Sequence, residues 1–117
     1  MALIRHKQNL EKLVNRIIYQ EQVCKKDLQF GDLVIISTKN SEYYIYVLES
    51  GSYWIMGGWF DRQGLSPVKI GIRGCTWGGN MIKIDIIAAC GLHLEFSNGL
   101  RSSVIQKVVV CQSNTQN

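Results

Sequence analysis

The stretch Asp32-Leu-Val-Ile-Ile-Ser-Thr-Lys-Asn-Ser-Glu-Tyr-Tyr-Ile-Tyr-Val-Leu-Glu-Ser-Gly-Ser-Tyr-Trp-Ile-Met-Gly-Gly58 decides the fold class. Runs rich in Ile, Val, Tyr and Trp alternate with Lys-Asn-Ser and Glu-Ser-Gly-Ser breaks, the pattern of strands joined by turns. The pattern continues to Val110, and strands are expected near residues 33–38, 43–48, 53–58, 68–77, 81–87, 92–96 and 100–110. This part of the chain carries no helix-length apolar period, so parallel crossovers are not expected.

Upstream, the period changes. Leu3, Leu10, Leu13, Val14, Ile17 and Ile18 fall within an arc of about 140° when each residue advances by 100°, the stripe of an amphipathic helix. Arg5, Lys12 and Arg16 cluster on the opposite side, as a solvated face or as an anion contact. The expected fold is therefore mainly β (all-β or α+β): an N-terminal amphipathic helix, then a seven-strand antiparallel meander closing into a small barrel or two-layer sandwich. One domain is expected over residues 1–117: a basic helix over 1–26, the β-body over 32–111 and a polar disordered tail over 112–117. A chain of 117 residues suits one core.

Two hairpins can be set by register, because a one-residue slip exchanges the two faces of a strand. A three-residue Ser97-Asn98-Gly99 loop opposes Phe96 to Leu100, Glu95 to Arg101 and Leu92 to Val104, keeping apolar against apolar. A Gly78-Gly79-Asn80 loop opposes Arg73 to Asp85 and Ile72 to Ile86. His93 is expected beside Glu95 on the polar face.

Charge is unevenly placed. Of the net +4, residues 1–26 supply six bases against Glu11 and Glu21, whereas residues 27–117 hold seven bases and seven acids. The β-body has no long-range field for phosphates, so any nucleic-acid binding is expected to be weak and salt-sensitive. No apolar h-region and no apolar run of about 20 residues occurs, so neither a secretory signal nor a membrane-spanning helix is expected, and the setting is read as cytoplasmic. Cys24, Cys75, Cys90 and Cys111 stand 51, 15 and 21 residues apart, without a C-x-x-C pair, and are expected to be buried thiols with no metal or cofactor. Catalytic groupings are thin. The best is Cys75 or Cys90 with His93 and Asp85, and a solvent-facing histidine explains His93 as well, so no enzyme is expected.

Between Tyr43 and Phe60 the chain carries an unusual density of rings, and adjacent rings such as Tyr43 and Tyr44 must point to opposite faces of a strand. One set fills the core. The other needs a cover, supplied by the helix, a partner subunit, or a ligand or stacked bases. The expected interaction surface is Leu10, Leu13, Val14 and Ile17 with Tyr44, Tyr46, Trp54 and Trp59, serving contact with a second copy (a homodimer or other homo-oligomer) or another protein. The alternatives are a single-stranded nucleic-acid site using Lys69, Arg73, Trp54 and Trp77, and a barrel whose interior holds a small ligand.

Overall fold

The computed structural model describes residues 14–113, with side chains from residue 17 onward. It is mainly β, and every strand pair is antiparallel. In chain order the elements are β1 (Val14–Gln20), β2 (Gln22–Cys24), a 3-10 turn (Lys25–Asp27), β3 (Leu33–Thr38), β4 (Glu42–Val47), β5 (Tyr53–Gly57) and α1 (Gly58–Arg62). There follow β6 (Val68–Ile70), β7 (Ile72–Thr76), β8 (Ile82–Lys83), β9 (Ile86–Ala89), β10 (His93–Phe96) and β11 (Arg101–Ser113). Two of the expected strands are divided: the one over 68–77 at Gly71, and the one over 81–87 at the Ile84-Asp85 turn.

The expected N-terminal helix is corrected. Residues 1–13, with Leu10, Leu13, Arg5 and Lys12, lie outside the described residues, while residues 14–20 form β1 and, after a bend at Glu21, residues 22–24 form β2. β1 pairs with β11, matching Ile17 to Cys111, Ile18 to Val110 and Tyr19 to Val109. Val, Ile and Tyr favour strands, and the β11 backbone satisfies their backbone groups across the sheet, so tertiary pairing overrides a helical period. The disordered tail is also corrected in part, since Gln112 and Ser113 belong to β11. The Ser113 N–H donates to Asp32 Oδ1 at 2.9 Å, and the Gln29 N–H donates to Asp32 Oδ2 at 2.9 Å. The buried Asp32 thereby ties the start of β3 to the end of β11.

The main sheet runs β6-β5-β4-β3-β11-β10-β7-β8, and it does not close into a barrel among the described residues. Instead it forks along β11. One edge of that 13-residue strand takes β3, and the other takes β10 near Arg101–Val104 and β1 from Val108 onward. The β2–β9 ribbon lies beyond β1 in the chain, with Val23 opposite Ala88. Alternate residues turn inward: Val34 and Ile36 from β3, Tyr43, Ile45 and Val47 from β4, and Tyr53 and Ile55 from β5 are all buried. Phe60, carried by α1, joins Phe96 and Tyr43 in a ring cluster, with Phe60 and Phe96 centroids 4.9 Å apart and edge to face.

Both hairpins take the expected loops. Cys75 opposes Lys83 and Thr76 opposes Ile82, the register of a Gly78-Gly79-Asn80 loop. β8 ends at Lys83, so the expected Arg73–Asp85 and Ile72–Ile86 pairs are not formed. In the second hairpin Glu95 opposes Arg101 and the Phe96 N–H donates to Leu100 O at 2.9 Å, with Gly99 at φ +89. Farther along, a bulge sets His93, not Leu92, against Val104. At the bulge the Ser102 hydroxyl accepts the Leu94 N–H at 3.0 Å, satisfying a backbone group that the shifted ladder leaves without a carbonyl partner.

Candidate functional site

Strand alternation that buries Tyr43 and Tyr53 sends their neighbours to the opposite side of the sheet. The pairing registers then align those outward residues into rows. One row reads Tyr19, Val109, Ile35, Tyr44, Met56 across β1, β11, β3, β4 and β5. The next reads Ile17, Cys111, Leu33, Tyr46, Trp54 and ends at Lys69 on β6. Five of these side chains are strongly exposed: Ile17 61%, Tyr19 69%, Tyr46 40%, Trp54 39% and Met56 37%. Few water-soluble surfaces expose large apolar side chains in such continuous order without a use for them.

The rim of this face is polar. A third row, Lys107, Ser37 and Glu42, borders it. The Ser37 hydroxyl donates to Glu42 Oε2 at 3.0 Å and the Tyr44 hydroxyl donates to Glu42 Oε1. The Tyr44 bond is the main reason that the Glu42 carboxyl is held below its usual range, and the same bond holds the Tyr44 phenol above its own. Lys107 Nζ sits 5.0 Å from the Tyr19 ring centroid. The Cys111 thiol, half-buried in the row beside Ile17 and Leu33, is pushed up by loss of solvent.

Of the residues expected to form the interaction surface, the structure brings Ile17, Tyr44, Tyr46 and Trp54 onto this one face. Ile17 does not cover the rings, as the helix reading had it, but extends their row. Val14 opposes Ser113 and Arg16 opposes Gln112 on β1, with their side chains outside the described set. Trp59 stands apart on α1, its ring edge to face with Phe60 at 5.4 Å and its backbone N–H donating to the Tyr43 hydroxyl at 3.3 Å. Leu33, Ile35, Val109 and Cys111 were missed. Finding them requires the pairing of β3 with β11, which joins segments some 75 residues apart in sequence.

The nucleic-acid candidates separate into two places. Trp54 opposes Lys69 on the outer face. Arg73 and Trp77 belong to β7 and its hairpin, where Arg73 Nη1 is 2.9 Å from Glu95 Oε2. Glu95 is corrected from the polar face to a buried position, its side chain 3% exposed, and Arg101 Nε reaches its other oxygen at 2.6 Å. Two arginines make that burial tolerable for a carboxylate.

The thiol–histidine grouping does not assemble through hydrogen bonds. His93 Nδ1 is 2.9 Å from Ser102 O, and Cys90 Sγ donates to Gln106 O at 3.6 Å. Cys90 is exposed, against expectation; Cys75 is buried, and burial pushes its thiol up to about 11. Among the described residues no three His, Cys, Asp or Glu side chains converge as metal ligands, and no helix is long and apolar enough to cross a membrane. Comparison with family models, curated proteins and solved structures returned no match to this chain.

Proposed function

We propose that the protein is a non-enzymatic assembly module whose outer sheet face docks against protein, most simply a second copy of the same chain. The observation that carries this reading is the pair of apolar rows crossing β1, β11, β3, β4 and β5. Six of the ten side chains in them, Ile17, Leu33, Ile35, Met56, Val109 and Cys111, are aliphatic or sulfur-bearing and offer nothing for bases to stack on. A flat apolar centre with a polar Lys107–Glu42 rim is the anatomy of a protein interface. The nearby Lys69 gives the nucleic-acid alternative one cation beside Trp54, too little for a phosphate track.

Behind this face we read a two-layer sandwich, supported by inward side chains from both arms of the fork. An open ladder leaves the small-ligand reading without a barrel interior. A second copy is favoured because β1 pairs only with β11 among the described residues, leaving its other edge to a symmetry mate that would extend the same rows. The cytoplasmic setting belongs to the same reading and rests on the unpaired cysteine spacing.

The test is solution mass by light scattering over a range of concentrations. The parent chain should exceed its 13.3 kDa monomer mass, and Trp54→Glu should return it to a monomer that keeps the parent's far-ultraviolet circular dichroism, its melting temperature falling only by the stability that association contributed. A parent that stays monomeric at every concentration sinks the proposal.

A further inference from the structure

A second exposed apolar group lies away from the outer face. Trp77, Met81 and Ile84, on the hairpin after β7, are 60%, 74% and 63% exposed. The Thr76–Ile82 pair brings Trp77 and Met81 to the two sides of the Gly78-Gly79-Asn80 loop, and Ile84 follows in the turn after β8. A hairpin tip is convex, and three side chains cover far less than the roughly 1,200 Å² that a stable protein interface requires. An apolar tip of this size suits a surface that needs no shape complementarity.

The charge around it has a sign. Lys83 Nζ lies 4.9 Å from the Trp77 ring centroid. Arg101 donates to Gly78 O at 3.1 Å and to Gly79 O at 2.9 Å, so a base holds the loop from beneath. Arg73 shares Glu95 with Arg101, and Lys25 Nζ donates to Ile72 O at 2.7 Å, bringing a fourth base to β7. Against these four stand Asp85 and the buried Glu95, while Lys26 and Asp27 in the adjoining turn cancel. Without Lys25, which belongs to the basic residues 1–26, Lys83, Arg73 and Arg101 still stand against Asp85 and Glu95, a surplus of one base within residues 27–117, which are balanced as a whole.

We propose that this tip is a membrane-surface site: Trp77, Met81 and Ile84 enter the headgroup region of an anionic bilayer while Lys83 meets the lipid phosphates and carboxylates, and Arg73 and Arg101, held by Glu95 and the loop carbonyls, add only to the positive potential. Tryptophan settles at that depth because its ring is apolar and its N–H stays wet. Basic groups add attraction to anionic lipid that falls off within a Debye length. The Arg101 clamp presets the loop, so little ordering remains to be done on binding. The outer sheet face has no part in this contact, and the two proposals stand separately.

The experiment is co-sedimentation of the full chain with phosphatidylcholine vesicles, with and without a minority of phosphatidylserine. Binding should require phosphatidylserine and weaken with added salt. Trp77→Ser combined with Met81→Ser should lower partitioning at least about tenfold, since two apolar side chains are then withheld from the interface. Both sites are exposed, so the variant should melt like the parent. A parent chain that remains in the supernatant at low salt overturns the proposal. So does a doubly substituted chain that still binds like the parent, because it retains every Lys and Arg and would show that charge suffices without the apolar tip.

Discussion

Replacing both Arg73 and Arg101 by alanine should cost more stability than the two single replacements added together. The reason is Glu95, whose side chain is 3% exposed and takes one arginine on each oxygen, at 2.9 Å and 2.6 Å. Each arginine is itself 50% or 38% exposed, so losing one removes a partly solvated ion pair while the other still neutralises the carboxylate. Each single replacement should cost about 1 kcal/mol after that discount for solvent. Removing both leaves a charge in the sheet without a partner, which costs about 3–5 kcal/mol. The excess over additivity should therefore be about 1–3 kcal/mol, with Glu95→Gln falling between the single and double variants because its amide keeps neutral hydrogen bonds. Urea unfolding at neutral pH followed by far-ultraviolet circular dichroism gives all four values. If the double variant equals the sum of the singles, Glu95 is hydrated and the buried triad is not what joins β7, β10 and β11.

Phe96→Ala should cost about 3–5 kcal/mol, because Phe96 is fully buried against Phe60 at 4.9 Å and Tyr43 at 5.5 Å, and Phe96→Leu should recover more than half; thermal melts compare them. The Cys75 thiol is raised from 9.0 to about 11 by burial, so the folded state holds its proton more tightly than the unfolded chain. The stability this contributes is fully present below about pH 9 and is lost as pH rises toward 11, up to about 2–3 kcal/mol. Urea unfolding of the parent and Cys75→Ala at about pH 8 and pH 11 should show the gap between them shrinking by that amount; a constant gap would refute the assignment.

Local alternation was enough to place β3, β4, β5, β10 and most of β11. The side-chain period of a strand is two, and β-branched and aromatic residues bounded by Gly, Asn and Ser leave few other readings. Loop chemistry was equally legible: the Gly78-Gly79-Asn80 and Ser97-Asn98-Gly99 loops set the Cys75–Lys83 and Glu95–Arg101 pairs from sequence. Of the outer face, Tyr44, Tyr46 and Trp54 could be read as one sheet surface, since the turn between β4 and β5 brings them together.

Only tertiary structure decided the rest. The sequence Val14-Asn-Arg-Ile-Ile-Tyr-Gln20 fits a helical arc as well as a strand; what selects the strand is β11, whose residues lie some 90 positions away and supply the ladder of backbone partners. The fork along β11 likewise depends on which of two strands reaches each part of one edge. Glu95 reads as a surface residue paired with Arg101 until β7, from 22 residues away, brings Arg73 to its other oxygen. In each case the deciding hydrogen bonds and charges join residues distant in sequence, so a local period states the alternatives and the assembled sheet chooses between them.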